Sequence, residues 1–363
     1  MFECTIRELA EGDILAQPII NRSGMTILEK GSQLNSRYIQ RLHELGIASV
    51  YVMKAPSERR LAKDWKPLPN EGSIFQKPFL YNEIMRRVDK NKTRVFGAED
   101  AACKQFIRRY RKHVSDILEH PAVATLLGRL YQFDSHLFEH STQVSIFSSI
   151  IGEECDFDGS RMAELVLGSL LSDIGMLCMP GALTRSSGQV SAEHKEQFHR
   201  HTVAGYNILS SIEGIPASAP HVALAHHERF DGSGYPLARQ GSAIPELARM
   251  VAIADSYNTL VSPSRTTPSY RADEAVEMLF ASGNYYFDAQ LVQVFLKRMK
   301  AFPVSSILTL SNGQTGIVKC YSSSIVHRPV VQIIKEANGA DVSAPYELDL
   351  ATSSTITVMH AAI

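Results

Sequence analysis

Two adjacent histidines, His226 and His227, open the run of residues with the most chemical content in this sequence. An acid follows them, and then a Gly-x-Gly-Tyr-Pro turn that ends at Pro236. The two glycines permit positive φ, so the backbone can fold tightly against whatever the imidazoles hold. Adjacent histidines are costly to keep unless a metal ion or an acidic group uses them, so the run indicates a binding site.

Histidine is concentrated in the middle of the chain. Nine of the thirteen histidines lie between positions 120 and 227, which is less than a third of the sequence. Imidazole is the commonest metal ligand among side chains, and a polynuclear metal site is the simplest reason to concentrate it. A hydrogen-bonded core or surface histidine is the plainer interpretation, and we expect it for His120, His194, His199 and His221.

The composition indicates a soluble protein of the cytosol. The net charge of −1 argues against a nucleic-acid polymer as a partner. The five cysteines are scattered and odd in number, as expected of reduced thiols. The first residues are acidic and lack the apolar core of a secretory signal. The most apolar stretch, 162–179, is interrupted by Glu164 and Asp173, so we expect a buried helix there and no membrane span.

The sequence also predicts the domains, helices and strands that position these histidines. At 363 residues, two or three domains are expected. We predict a small α+β domain at 1–54, a linker at 55–78, an all-helical domain at 79–301 and a β-rich extension at 302–363. The first domain has predicted strands at 14–20, 25–28 and 47–52, a turn at 21–24 and a helix capped by Asn35 or Ser36.

Helical periodicity dominates the middle of the chain, and alternation of apolar residues marks its last part. The predicted helices are 98–118, one that begins at Pro121, 136–153, 161–179, 192–211, 218–229, 245–260, 272–281 and 288–299. The predicted strands are 307–310, 316–320 and 330–334, with a hairpin turn at Asn312-Gly313.

The run from His226 to Pro236 resembles the signature of the HD-GYP family, whose members are metal-dependent cyclic di-GMP phosphodiesterases. Four more segments are similar to that family's pattern and occur in the family order. They contain His140 in an amphipathic helix, Asp173 in Ser-Asp-Ile-Gly, His201 in His-Thr-Val-Ala-Gly, and Asp255 in Ile-Ala-Asp-Ser-Tyr. The resemblance covers most of the chain. It implies a mainly α fold, namely an all-helical HD-type metal-phosphohydrolase domain between a small α+β domain and a small β-rich extension.

The resemblance also implies the ligands of a two-metal site in which Asp173 bridges the ions and is the catalytic carboxylate. His201, His226 and His227 would complete one metal position, and His140 with Asp255 would complete the other. One or two divalent ions are therefore expected. Iron, manganese, zinc and nickel all suit a mixed set of nitrogen and oxygen ligands.

Three positions depart from the family's pattern. Ser172 stands where the family has the histidine of its HD pair, Met176 where it has a lysine, and Asn258 where it has an aspartate. These changes remove a nitrogen ligand, a positive charge for a phosphate oxygen, and a negative charge. His136, one helical turn before His140, is a candidate extra metal ligand, although an uninvolved helix histidine is the preferred interpretation.

Substrate contacts and partners follow only from residue type and from the resemblance. The candidates for contacts with cyclic di-GMP are Arg229, Tyr235, Arg249 and Arg265. A guanidinium offers paired donors to a phosphate or a guanine, and a surface salt bridge is an equally good interpretation of each arginine. In the family, the Gly-Tyr-Pro segment is linked with binding to GGDEF domains. A homodimer is also compatible with the resemblance.

Three functions remain open at this point. The first is a bacterial signalling phosphodiesterase that opens cyclic di-GMP to pGpG or GMP at a weakened site. The second is a catalytically impaired protein that binds cyclic di-GMP or a signalling partner in the same pocket. The third is a scaffold with the HD fold that binds no nucleotide.

Overall fold

The protein is described from a computed structural model, in two compact units that comprise Met1–Pro67 and Leu68–Ile363. The helical part and the C-terminal strands belong to the same unit. The finer division into four segments at 54, 78 and 301 stays a prediction. The residues described are 2–6, 9, 13–20, 26–45, 47, 49–52, 75–96, 101–179, 192–262, 269–299, 302, 304–322, 328–353 and 355–362.

The first unit is a small α+β domain, as predicted. Its elements are β1 (Phe2–Thr5), β2 (Ile19–Ile20), β3 (Thr26–Leu28), α1 (Ser36–Glu44) and β4 (Ser49–Val52). β1 pairs antiparallel with β4, and β2 with β3. The Asn35 side chain accepts a hydrogen bond from the Tyr38 amide and caps α1, which confirms one of the two predicted caps. The apolar face of α1 packs through Leu42 into a core that includes Leu15, Leu34 and Val52.

The strands of this unit differ from the prediction at two places. Only Ile19–Ile20 of the predicted strand 14–20 is regular, while Ile14 and Leu15 form isolated bridges. Pro18 lies between these parts and has no amide hydrogen to donate to a strand ladder. β1 was not predicted, and the predicted turn at 21–24 lies outside the described residues.

The second unit is mainly helical, as predicted. Its helices are α2 (Lys77–Phe96), α3 (Ala101–Leu118), α4 (Pro121–Phe133), α5 (Ser135–Glu154), α6 (Gly159–Leu170), α7 (Ala192–Ser210), α8 (Ser218–Ala225), α9 (Glu246–Val261), α10 (Ala272–Ala281) and α11 (Ala289–Arg298). α2 was not among the predicted helices, and it begins two residues before the predicted start of the helical domain at 79.

Two helices end earlier than their apolar periodicity predicts. The helix predicted over 161–179 stops at Leu170, and a short 3₁₀ helix follows at Ile174–Cys178. A Cβ on Gly175 would lie 1.9 Å from the His201 carbonyl oxygen, so the chain turns here in direct backbone contact with α7. The helix predicted over 218–229 stops at Ala225, which puts the two adjacent histidines just beyond its end.

The helical core is centred on α5, which packs against α6 and α9. Phe147 of α5, Tyr257 of α9 and Phe295 of α11 meet edge to face, with ring centroids 5.1–6.3 Å apart. The hydroxyls of Ser148 and Ser149 are buried and donate to the carbonyls of the preceding helical turn. These small, satisfied side chains allow close packing without an unpaired polar group.

The C-terminal part of this unit is one antiparallel sheet. Its strands are β5 (Ile307–Leu310), β6 (Thr315–Cys320), β7 (Val330–Lys335), β8 (Asp341–Asp349) and β9 (Val358–Ala362), in the order β8-β7-β6-β5-β9. β5 and β6 form the predicted hairpin, with Gly313 at φ +86° in its turn. The three predicted strands are confirmed, and β8 and β9 were not predicted. The Arg271 guanidinium donates to the Met359 carbonyl at 2.6 Å and ties the helices to the sheet.

Across the described residues, none of the helices combines the length and apolar character needed to cross a lipid bilayer. The segment 162–179, which was predicted to be one buried helix, is mostly buried, but it is divided between α6 and the 3₁₀ helix after it, and Cys178 is exposed.

Candidate metal centre

Four side chains from separate parts of the second unit converge on one point. Asp173 begins the 3₁₀ helix after α6, His201 lies on α7, and His226 and His227 follow the end of α8. One ligand atom from each of the four lies within 4.8 Å of every other. The sequence predicted all four as metal ligands, and the fold brings them together across more than fifty residues of chain.

Two imidazoles of this cluster present an unused nitrogen to the carboxylate. The Nε2 atoms of His201 and His226 lie 3.4 and 3.5 Å from Asp173 Oδ1, and both are buried without a hydrogen-bond partner. Their Nδ1 atoms lie 2.7 Å from the Phe198 carbonyl and 2.9 Å from the Ala223 carbonyl. A carbonyl only accepts, so in each neutral ring Nδ1 carries the proton and Nε2 keeps a lone pair. This arrangement fits a divalent ion.

The charges at the cluster also suit a cation. Burial raises the pKa of Asp173, but its contacts with His226, His201 and His140 outweigh burial and hold that pKa far below its usual range. The carboxylate is therefore ionised at neutral pH. Burial and the neighbouring His226 hold the pKa of His227 well below its usual value, so this imidazole is neutral and able to act as a ligand.

The other predicted ligands, His140 and Asp255, lie beside the cluster and bond to each other. His140 Nε2 is 2.8 Å from Asp255 Oδ1 and 3.8 Å from Asp173 Oδ2. His227 Nδ1 is 3.7 Å from Asp255 Oδ2, so the two groups of ligands are contiguous. Burial lowers the pKa of His140, but the hydrogen bond to Asp255 and its charge raise it by more.

The loop that follows the two histidines is held by a buried acid. The Glu228 carboxylate accepts hydrogen bonds from the amides of Leu237 and Arg239, at 2.8 and 3.0 Å. A Cβ on Gly234 would lie 2.2 Å from the Arg229 nitrogen, so only glycine fits this turn. The loop thereby places the Tyr235 ring 4.9 Å from the ring of His227.

Sequence reasoning missed the roles of Glu228 and His199. The His199 ring stacks on Tyr235, with centroids 3.6 Å apart and an interplanar angle of 8°. The signal for Glu228 was an acid directly after the adjacent histidines, at the start of a glycine-rich turn. His199 offered no local signal, because its contact with Tyr235 spans 36 residues and arises only when α7 packs beside the loop.

The three departures from the family's pattern take on different structural roles. The buried Ser172 hydroxyl donates to the Ser169 carbonyl at 3.1 Å. Met176 is 4% exposed in the 3₁₀ helix and serves as core. The Asn258 amide lies 2.8 Å from His140 Nδ1. His136 is exposed in the first turn of α5 and is not part of the four-residue cluster, so its role as an extra ligand stays a prediction.

The predicted substrate arginines differ in what surrounds them. Arg249 forms an ion pair with Asp288, which caps α11, and also donates to the Ile244 carbonyl, so its guanidinium has a structural use. Arg229 Nη1 lies 3.4 Å from Ser256 Oγ, next to Asp255 in sequence. Among the described residues, no carboxylate lies within salt-bridge distance of Arg229. Arg265 lies outside the described residues.

Metal binding at the cluster is expected to weaken as pH falls. Burial lowers the pKa of His226, but its interaction with the Asp173 carboxylate raises that pKa above the ordinary 6.5. Acid therefore protonates the Nε2 atom that a metal ion needs, and each displaced proton costs about tenfold in affinity per pH unit. Competition titration with Mn²⁺ from about pH 7.5 to about pH 5.5 measures this loss. Unchanged affinity over that range would exclude His226 as a ligand.

The comparisons with known proteins agree with this geometry. Residues 130–291 match a protein-family model described as an HD domain, and this span contains all four members of the cluster.

Curated relatives match over a similar part of the chain. A cyclic di-GMP phosphodiesterase of Pseudomonas aeruginosa is 29% identical over 204 residues, which are 56% of this chain and 49% of that protein. A cyclic di-GMP phosphodiesterase of Thermotoga maritima is 29% identical over 210 residues, which are 58% of this chain and 55% of that protein. The chain thus spans about half the length of these curated relatives. A solved structure of a HDG"Y"P protein from Bdellovibrio bacteriovorus aligns over 81% of this chain and 97% of that one, with 14% identity and a TM-score of 0.41.

Proposed function

We propose that the chain is a metal-dependent phosphodiesterase of the HD-GYP type that hydrolyses cyclic di-GMP to pGpG or GMP, because it matches an HD domain and is similar to cyclic di-GMP phosphodiesterases. The observation that carries this proposal is the cluster of Asp173, His201, His226 and His227, in which two buried Nε2 lone pairs face one carboxylate. A divalent ion held there supplies Lewis-acid stabilisation of negative charge on a phosphoryl oxygen.

The residues around the cluster support binding of a phosphodiester. The Arg229 guanidinium lies beside Ser256 and over the rings of Tyr286 and Phe287, at 5.6 and 4.9 Å from their centroids. The two rings hold the guanidinium in place, and among the described residues no carboxylate lies within salt-bridge distance of it. We therefore assign Arg229 to a phosphate of the substrate and Tyr235 to the wall of the pocket.

A second candidate function is binding of cyclic di-GMP without efficient turnover. The observation that favours it is the Ser172 side chain, whose hydroxyl donates to a backbone carbonyl where the family's pattern has an imidazole. Met176 likewise supplies no positive charge for a phosphate oxygen. Removal of one charge-stabilising donor commonly costs about 10²–10³ in rate.

The substitution Ser172→His is expected to raise phosphodiesterase activity because it returns the imidazole that the family's pattern has next to Asp173. We expect turnover of cyclic di-GMP in the presence of Mn²⁺ or Fe²⁺ to rise about 10²-fold. Liquid chromatography of the nucleotide products measures this rise.

Ser172→Leu is the matched control, because it adds a side chain of similar volume without a ligand. If wild type binds cyclic di-GMP and neither wild type nor Ser172→His hydrolyses it, the protein is a receptor. If wild type binds neither a metal ion nor the nucleotide, the scaffold interpretation holds and both proposals fail.

Three further proposals rest on the family resemblance alone. We propose a cytoplasmic location, where a bacterial second messenger acts, and a GGDEF-domain protein as a partner of the Gly234-Tyr235-Pro236 turn. The exposed Ser233 lies directly before this turn, so a partner can reach the loop. A homodimer is the third proposal, and size-exclusion chromatography with light scattering tests it.

A further inference from the structure

His140 and Asp255, the predicted ligands of the second metal position beside the cluster, belong to a continuous series of hydrogen bonds that runs through Asn258. This asparagine lies on α9, one turn after Asp255, and is 1% exposed. The Ser262 hydroxyl donates to its Oδ1 at 3.0 Å. With Oδ1 in use, its Nδ2 faces His140 Nδ1 at 2.8 Å, and an amide nitrogen only donates.

The direction of this series of hydrogen bonds determines which nitrogen of His140 carries a proton. An Nδ1 atom that accepts from Asn258 has its lone pair in use, so the proton of the neutral imidazole is on Nε2. Nε2 then donates to Asp255 Oδ1 at 2.8 Å, and every donor in the series has an acceptor. A nitrogen that carries a proton has no lone pair for a metal ion, and the Asp255 oxygen is used as well.

The histidines of the cluster have the opposite arrangement. Backbone carbonyls accept from Nδ1 of His201 and of His226, which leaves both Nε2 atoms as buried lone pairs. A carbonyl that accepts from Nδ1 thus leaves the Nε2 lone pair free for a metal ion, whereas an amide that donates to Nδ1 places the proton on Nε2. The fold therefore contains one metal position with free Nε2 lone pairs and, beside it, a second position whose imidazole is hydrogen-bonded to the carboxylate of Asp255.

We infer that Asn258 is a positioning residue that holds His140 in the tautomer with a proton on Nε2, and so keeps the second metal position closed. This inference rests on the proposed metal centre and specifies its stoichiometry as one tightly held ion at Asp173, His201, His226 and His227. A carboxylate at position 258 only accepts hydrogen bonds, so it would accept the proton of His140 Nδ1. The direction of the hydrogen bonds would then be reversed, and the Nε2 lone pair of His140 would be exposed.

The first test uses the wild-type, metal-free protein. Long-range ¹H–¹⁵N correlation spectra distinguish the two neutral tautomers of an imidazole by the shifts of its ring nitrogens. With the pH raised until the spectra show both rings neutral, we expect His140 to have its proton on Nε2 and His201 to have its proton on Nδ1. The Nδ1 tautomer at His140 would overturn the inference, whatever the protein does with nucleotides.

The second test is Asn258→Asp. Changes in the partner of a metal-ligating histidine typically alter metal affinity 10–100-fold, so we expect the variant to bind a second Mn²⁺ about 10–100-fold more tightly than wild type. Isothermal titration calorimetry of the full chain with Mn²⁺ alone measures both sites. The affinity of the first site should change by less than about threefold, because its ligands do not contact Asn258.

Gln143→Glu is the control for added negative charge. Gln143 Oε1 lies 3.3 Å from the Ser262 hydroxyl. A carboxylate at position 143 therefore adds a negative charge close to these hydrogen bonds but leaves the contact between Asn258 and His140 in place. Equal second-site affinity in Asn258→Asp, Gln143→Glu and wild type would overturn the inference. A protein that gains the second ion on Asn258→Asp but never binds cyclic di-GMP would refute the proposed function and leave the inference intact.

Discussion

Replacing Asp173 by asparagine is expected to leave the protein without tightly bound metal and without phosphodiesterase activity. Asp173 is the one carboxylate in the four-residue cluster, and its oxygens face His201, His226 and His140 at 3.4–3.8 Å. Its low pKa keeps it ionised, so the substitution removes a full negative charge from a buried site whose other ligands are imidazoles. Loss of a contact that supports a metal ligand costs up to roughly 100-fold in metal affinity. Loss of the ligand itself should therefore lower the affinity by more than that.

Elemental analysis after dialysis measures the first effect, and turnover of cyclic di-GMP measures the second. Asp231→Asn is the matched control, because that carboxylate accepts only from Ser233 among the described hydrogen bonds and an asparagine can keep the turn. The control should retain the ion content of wild type. Equal metal content in Asp173→Asn and wild type would mean that the ion binds elsewhere, and the proposed centre would be wrong.

Substitution of Gly175 by alanine is expected to cause the largest loss of stability of any single added methyl group near the site. A Cβ there would lie 1.9 Å from the His201 carbonyl oxygen and 2.5 Å from the Gly205 nitrogen. Both atoms belong to the backbone of α7, so no side-chain rotation relieves the overlap. Overpacking commonly costs about 1–3 kcal/mol, and we expect a loss in the free energy of unfolding at or above the top of that range.

Urea denaturation measures this loss, and Gly159→Ala provides the comparison. A Cβ on Gly159, at the start of α6, has no neighbouring atom within 4 Å. We expect that variant to stay within about 0.5 kcal/mol of wild type. Gly175→Ala should also weaken metal binding, because separation of α7 from the 3₁₀ helix moves His201 away from Asp173. If Gly175→Ala is as stable as Gly159→Ala, this backbone contact does not set the position of Asp173.

Much of the fold could be predicted because periodicity and caps are local properties. The helices around positions 121, 272 and 288, the cap at Asn35 and the hairpin at Asn312-Gly313 each depend on a few neighbouring residues, and all are present. Some failures have non-local causes, although the break at Pro18 in the predicted strand 14–20 is local. The helix predicted over 161–179 breaks after Leu170 because its next turn must lie against the backbone of α7, which no periodicity within that stretch reports.

In the same way, the identity of the ligands could be predicted from the sequence, but the arrangement of their free ring nitrogens could not. The sequence by itself determined the residue types, because imidazoles and carboxylates in this order suit a metal ion and a serine at 172 or an asparagine at 258 alters the donor set. Carbonyls only three residues earlier accept from Nδ1 of His201 and His226, so the free Nε2 atoms of these two histidines are a local property. Only the tertiary structure decided that those atoms meet at Asp173 and which nitrogen of His140 is in use, because His140 contacts Asp255 and Asn258 across more than 100 residues of sequence.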